Sequence, residues 1–235
     1  MLAIILCAGR GTRMGTLTDI CPKPMLMVQG KNLIEWKLEA LPQEVTKVIL
    51  VVGYMKEMIM SHFGSSWNGV EIIYINQLTL SGTGGALLLC KDAVRDEKQF
   101  LVLMGDDIYD KDDLLELSKN RFSLLVSDQG DVGRKKGWQV FFDNNQLQKI
   151  HQEVEEETSP YINAGAYSLG FEYFSADLYM MANGEYSLPH TLLSMIDTKQ
   201  EKGEAFPIHV VISKKWIQIT DPKSIDDAET FLKVA

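Results

Sequence analysis

The sequence predicts an α/β fold: a doubly wound, mostly parallel sheet with helices on both faces, in three layers. Three observations predict it: short apolar runs rich in Ile, Leu and Val, turn signals bounding each run, and helical spacings between consecutive runs. In order, the runs are Leu2 to Cys7, Lys47 to Val52, Val70 to Ile75 and Phe100 to Met104, each short and apolar enough for a strand buried on both faces. Between them, Leu33, Ile34, Leu38 and Leu41 repeat at helical spacing, as do Met55, Met58, Ile59 and His62, and then Ala86 to Val94.

Beyond residue 120 the strand candidates are Phe122 to Val126, Trp138 to Phe142, Leu147 to Ile150 and Ile162 to Leu169. Helices are expected over Phe171 to Met181 and Leu188 to Ile196, then a strand over Pro207 to Ile212, a Trp216 to Ile219 segment and a C-terminal helix from Pro222. No Gly/Ser/Pro-rich linker and no internal repeat divides the chain, so a single domain is expected over 1–235, with functional halves 1–120 and 121–235. Hexapeptide repeats are absent, so an appended left-handed β-helix is not expected.

With 235 residues, 46% hydrophobic and 23% charged, the chain can bury a core without staples, and disorder or a fibrous repeat is excluded. The net charge of −9 argues against the basic surface of a duplex-binding protein, so an anionic ligand must be met by a local cluster. Cys7, Cys21 and Cys90 imply no disulfide framework and point to a reducing cytoplasm. The apolar N-terminus has no basic flank and meets Arg10 and Arg13 too soon for a signal peptide or membrane span; the same missing flank argues against lipidation at Cys7. Neither nucleic acid nor a membrane is expected as a partner; a homo-oligomer stays open.

The first strand runs into Leu6-Cys7-Ala8-Gly9-Arg10-Gly11-Thr12-Arg13-Met14-Gly15. Glycines at the carboxyl end of a strand let backbone N–H groups approach an anion. Neither a Walker A loop nor Gly-x-Gly-x-x-Gly is present, and by themselves these glycines equally fit an ordinary loop. Arg13 in the loop and Lys23 in Pro22-Lys23-Pro24-Met25-Leu26 add two cations, the second on a backbone stiffened by its prolines.

Ala8-Gly9-x-Gly-Thr-Arg-Met with Pro-Lys-Pro-Met-Leu downstream resembles the signature of sugar-1-phosphate nucleotidyltransferases. The resemblance implies a Rossmann-like fold of the nucleotidyltransferase (GT-A-like) kind, nucleotide bound by the first half and acceptor by the second. It implies that Leu6, Ala8, Gly9, Gly11 and Thr12 contact the nucleotide, and that Arg13 and Lys23 are catalytic. Gln77 with Gly82-Thr83-Gly84-Gly85-Ala86 resembles the base-reading element; an amide's paired donor and acceptor match uracil or thymine, hence UTP or dTTP. The plainer alternative is that Gln77 ends a strand and Gly82 opens the next helix.

In Leu103-Met104-Gly105-Asp106-Asp107-Ile108-Tyr109, Asp106 falls at the family's metal position, and a hard oxygen there suits Mg²⁺. Asp107, Asp110, Asp112 and Asp113 are expected to be helix N-terminal charges and solvent-facing loop. The family's second metal carboxylate is replaced: Trp216-Ile217-Gln218-Ile219-Thr220-Asp221-Pro222 offers Gln218, or Asp221 after a small shift. Gly137, Glu153 and Asn163 fall at the acceptor contacts, but Glu153-Val154-Glu155 stands where Glu-Lys-Pro is common, and the rest of Glu153 to Glu157 is expected to be solvated. Gly184-Glu185-Tyr186-Ser187-Leu188 resembles a segment of the archaeal-type branch, and His190 is expected to be structural.

The expected activity is a Mg²⁺-dependent transfer joining a sugar 1-phosphate to a nucleoside triphosphate, yielding a nucleoside-diphosphate sugar and pyrophosphate. The acceptor phosphate is already an anion, so positioning and charge neutralisation suffice. Two alternatives stay open: a cytidylyltransferase acting on phosphocholine or another non-sugar phosphate, and a non-catalytic nucleotide-binding regulatory subunit.

Overall fold

The computed structural model describes residues 1–128, 137–151 and 158–234. Its first half runs β1 (Leu2–Leu6), α1 (Leu17–Ile20), β2 (Met27–Val28), β3 (Lys31–Asn32), α2 (Leu33–Ala40), β4 (Lys47–Val52), α3 (Lys56–Phe63), β5 (Ser66–Trp67), β6 (Val70–Asn76), α4 (Gly82–Leu88), β7 (Phe100–Met104), β8 (Asp107–Tyr109) and α5 (Lys111–Leu117). The second half follows with β9 (Ser123–Asp128), β10 (Gln139–Asp143), β11 (Gln146–His151), β12 (Tyr161–Leu169), α6 (Leu188–Glu201), β13 (His209–Ser213), β14 (Trp216–Gln218) and α7 (Pro222–Val234).

The four predicted apolar runs become adjacent parallel strands, in the order β7-β1-β4-β6. They belong to a ten-stranded sheet ordered β10-β11-β13-β9-β12-β7-β1-β4-β6-β5, which runs through both halves of the chain. β12 enters antiparallel between β7 and β9, so the sheet is parallel from β7 to β6, with β5 antiparallel at that edge, and mixed on the other side. Because successive side chains on a strand point to opposite faces, Leu2 and Ile4 pack into one core with α4 and α6. Ala3 and Ile5 pack into the other, with α2, α3 and α5. A smaller cluster, including Met14, Val28, Leu33, Ile108, Ile219 and Ala228, seats α7 beside the β2–β3 ribbon. No helix among the described residues is long and apolar enough to cross a membrane.

Local chemistry sets the ends of the elements. Asn32 and Glu35 form a reciprocal capping box at the start of α2, each side chain accepting from the other's backbone N–H. The helix expected from Ala86 to Val94 is shorter and earlier: α4 ends at Leu88, and Asp92–Val94 is a separate tight turn closed by bonds three residues apart. The helix expected from Phe171 to Met181 is only a tight turn, Phe171–Ser175. Beyond it the backbone bonds elsewhere: Tyr179 N–H donates to the Thr191 hydroxyl (3.0 Å), and Ser187 N–H donates to Tyr179 O (2.9 Å).

Asp113 lies in the first turn of α5, as expected of a helix N-terminal charge, but it does not face solvent: it is 2% exposed, and its Oδ2 accepts from Ser213 Oγ (2.7 Å) and Lys214 N–H (2.9 Å). It ties α5 to the turn between β13 and β14, which places Gln218. Asp113→Ala leaves those donors unpaired and is expected to cost about 1–3 kcal/mol in urea unfolding; an unchanged midpoint would show that the tie is dispensable.

Candidate active site

β1 and β7 are neighbours, with Leu6 opposite Met104, so the loops that leave their carboxyl ends meet. Gly105 N–H donates to Leu6 O (3.0 Å) and closes the junction. In the first loop Gly11 is left-handed (φ +72°), and a Cβ there would lie 2.8 Å from Lys23 Cβ. Glycine is what allows the lysine stem to cross the loop. Lys23, buried in a tight turn between Pro22 and Pro24, places its Nζ 2.5 Å from Asp106 Oδ2. Asp106 is 30% exposed and sits at the corner between β7 and β8.

Asp106 borders two cavities, and Lys23 the smaller of them. The larger, about 540 Å³, is bordered by Leu6, Ala8, Gly9, Arg13, Gln77, Gly82, Thr83, Asp106, Asn163 and Gln218. The smaller, about 370 Å³, is bordered by Gly9, Gly11, Thr12, Arg13, Lys23 and Asp106. Arg13 is exposed on the rim of both and makes no ion pair among the described residues, whereas Arg10 is held by Asp19 at 3.0 Å. Of the loop's two arginines, then, Arg13 is the one available to an anion.

On the base side, Gln77 is 6% exposed and follows β6, its Nε2 lying 3.5 Å from Ser81 Oγ. Gly82 opens α4 with φ +79°, and a Cβ there would meet Tyr186 O at 2.5 Å. The approach is fixed by Gly84 N–H donating to Tyr186 O and Tyr186 N–H donating to Ser81 O, both 2.8 Å. Thr83 borders the cavity, but its hydroxyl accepts from Leu188 N–H (3.1 Å) at the start of α6. The element expected to read the base is thereby clamped to the 184–188 segment.

On the acceptor side, Asn163 is set by three bonds: its Nδ2 donates to Tyr167 Oη (2.6 Å), its Oδ1 accepts from Gly165 N–H (3.0 Å), and its N–H donates to Trp138 O (2.8 Å). Gly137 does not border the cavity; it rests on Ile162, and its neighbour Trp138 is the residue that reaches in. Glu153 and Val154 lie outside the described residues. Gln218 on β14 stands opposite Asp107 and borders the cavity. Asp221 does not border it: its Oδ1 accepts from Ser224 N–H (2.9 Å) at the first turn of α7. Of the two residues weighed for completing a metal site, Gln218 is thus the one that borders the same cavity as Asp106.

Asp107 was expected among solvent-facing charges and is instead 1% exposed. Its Oδ2 lies 3.1 Å from Tyr109 Oη, and its Oδ1 has no hydrogen-bond partner. Burial first, then the neighbouring Asp106 charge, push its carboxyl well above the usual range. Tyr109 Oη also accepts from Met104 N–H (3.3 Å) and lies 3.1 Å from Gly165 O. The single Tyr109 hydroxyl proton faces two acceptors, Gly165 O and Asp107 Oδ2.

Lys37, which sequence reasoning passed over, is fully buried beneath this corner, and burial pushes its ammonium down to about 8. The signal was its place four residues after Leu33 and four before Leu41, on the apolar stripe of α2. Trp138, Tyr167, Glu185 and Ser187 also border the cavity without having been assigned to it; Glu185 and Ser187 lay in the 184–188 segment whose resemblance was noted. His190, as expected, is structural: it stacks on Tyr179 (4.8 Å), meets Trp138 edge-on (4.6 Å) and has its Nδ1 2.7 Å from Ser187 Oγ.

Residues 2–233 match the family model described as "Nucleotidyl transferase". The chain is 32% identical over 234 residues to the "Bifunctional protein GlmU" of Methanocaldococcus jannaschii, covering 99% of this chain and 54% of that protein. It therefore spans about half the length of the first curated relatives it matches. It is 29% identical over 243 residues to the UTP–glucose-1-phosphate uridylyltransferase AglF of Haloferax volcanii, covering 99% of this chain and 97% of that one. Among solved structures, a candidate glucose-1-phosphate thymidylyltransferase from Bacillus anthracis superposes with a TM-score of 0.82 at 22% identity, over 100% of this chain and 96% of that one. At that identity the likeness establishes the fold alone.

Cys7 borders the smaller cavity, but burial pushes its thiol up to about 12, and Cys90 likewise. Neither is a thiolate near neutral pH, so neither serves as a nucleophile. Alkylation at pH 8 is expected to modify half-buried Cys21 first; fast modification of Cys7, read by peptide mass, would contradict the packing around it.

Proposed function

The chain belongs to the nucleotidyl transferase family, and on that premise we propose that it joins a sugar 1-phosphate to a nucleoside triphosphate, UTP or dTTP, with release of pyrophosphate. The observation that carries the reading is the convergence of Arg13, Lys23 and Asp106 on the smaller cavity, with Arg13 and Asp106 also bordering the larger. An oxygen of the acceptor phosphate attacks the α-phosphorus in line; the new P–O bond forms as the bond to pyrophosphate breaks, and both products leave as anions. No general base is required. Catalysis reduces to holding the two phosphates together and offsetting their charge.

Each residue has a part set by its position. Arg13, unpaired on the rim, takes the leaving pyrophosphate. Lys23 exchanges its carboxylate partner for phosphate oxygens and bridges the α-phosphate and the acceptor phosphate. Gln77 supports a uracil or thymine base, because its amide offers a donor and an acceptor side by side. Asn163 offers a directional contact to an acceptor hydroxyl, and the AglF relative is named for glucose 1-phosphate.

The donor set fits Mg²⁺ as a partner shared with substrate. Among the described residues no three His, Cys, Asp or Glu side chains gather into a cage, yet Asp106 and Gln218 present hard oxygens to one cavity. One or two protein oxygens with phosphate oxygens and waters are what this ion takes. Bound there by Asp106 and Gln218, it would supply further neutralisation of the triphosphate charge.

One observation favours a second reading. Trp138 and Glu185 both border the larger cavity. An aromatic ring and a carboxylate lining one cavity suit a quaternary ammonium, so CTP-dependent transfer to phosphocholine is the alternative. A matrix of five triphosphates against sugar 1-phosphates and phosphocholine, scored by pyrophosphate, separates the two. Turnover with UTP or dTTP and a sugar 1-phosphate is the expected result. Turnover confined to CTP and phosphocholine favours the second reading, and tight triphosphate binding without pyrophosphate from any pair makes the chain a binding subunit.

In the productive pair, Arg13→Ala, Lys23→Ala and Asp106→Ala are each expected to lower kcat by about 10²- to 10³-fold. Near-normal turnover in all three folded variants would remove the assignment.

A further inference from the structure

We propose that Lys37 is a positioning residue that aims Asp106 at the phosphate site. Its ammonium donates to Leu33 O (2.9 Å) within α2 and to Gly105 O (3.1 Å). That second carbonyl belongs to the peptide group joining Gly105 to Asp106, so Lys37 holds the plane from which the carboxylate projects. The neighbouring backbone groups are tied as well: Gly105 N–H donates to Leu6 O, and Asp106 O accepts from Ile219 N–H, both at 3.0 Å. Asp106 thus leaves a backbone fixed to β1, α2 and the strand carrying Gln218. The charged groups around Lys37 are Asp106, Asp107 and Lys23, so its ammonium also offsets two adjacent carboxylates.

The residues next to it on α2, Leu33, Ile34 and Leu38, are ordinary core. A buried ammonium is costly to place there, and it is held by its two carbonyl acceptors and the neighbouring carboxylates, so removing it alone is expected to lower stability. What methionine cannot supply is the grip on the Gly105 carbonyl.

The inference rests on the proposed nucleotidyl transfer for what Asp106 meets, and its test is built to fail separately. Lys37→Met is to be titrated with Mn²⁺ as the probe, followed by electron paramagnetic resonance, with and without each of the five triphosphates. In parallel, its melting temperature and its kcat and KM are measured with the best substrate pair. The expected result, per folded protein, is Mn²⁺ affinity lower by about 10- to 100-fold and kcat lower by a similar factor with acceptor KM near normal, beside a reduced melting temperature.

Equal Mn²⁺ affinity in the two proteins, no Mn²⁺ uptake by the wild type, or a loss of turnover that only tracks lost folded protein would overturn the proposal. Should methionine prevent folding, Lys37→Gln, whose amide reaches a single carbonyl, is read by the same criteria. If the wild type releases no pyrophosphate from any pair, the functional reading fails while the Mn²⁺ titration still decides the role of Lys37.

Discussion

Lys23 and Asp106 lie 83 residues apart in sequence and 2.5 Å apart in space, and most of the architecture can be understood as what brings them there. Adjacent parallel strands β1 and β7 set their carboxyl ends side by side. A left-handed glycine lets the Lys23 stem cross the first loop, and Lys37 from below holds the peptide that carries Asp106. An ammonium and a carboxylate in partial burial stabilise each other only while they stay paired. In the free protein each is therefore the other's partner, and under the proposed transfer an incoming phosphate would take over Lys23 and release Asp106.

How far the sequence foretold this varied with the physics involved. The four strands beside the site were legible because strands buried on both faces must be continuously apolar, and Leu2–Leu6 and Phe100–Met104 are. The phosphate-loop residues and Gln77 were legible through their motif and fall around one pair of cavities. Tertiary use of local groups was not legible. Asp107 and Asp113 look like surface carboxylates in a stretch dense with aspartate, and only the fold shows one buried against Tyr109 and the other spent on the Ser213–Lys214 turn. Likewise the 171–181 stretch has helical spacing, yet its later backbone groups bond to Thr191 and Ser187, which no local pattern announces.

The acceptor half was least legible for a related reason. Its wall is assembled from separated places, Trp138 before β10, Asn163 and Tyr167 on β12, and Glu185 in the loop before α6. No two of these segments adjoin in sequence, so no spacing betrays them. β12, which pairs with β7 on one side and β9 on the other, carries Asn163 and Tyr167 to the cavity that Asp106 borders.

Net charge gains a narrower meaning in this light. At −9 the chain as a whole repels anions, and Arg10, one of the three cations near the loop, is already paired with Asp19. Attraction must come from Arg13 and Lys23 at short range, where a partly buried, low-dielectric rim strengthens each contact. A general positive field would draw any polyanion and hold it nowhere in particular. Under the proposed transfer, an acidic exterior with two local cations would favour a phosphate where it can replace the Asp106 carboxylate at Lys23.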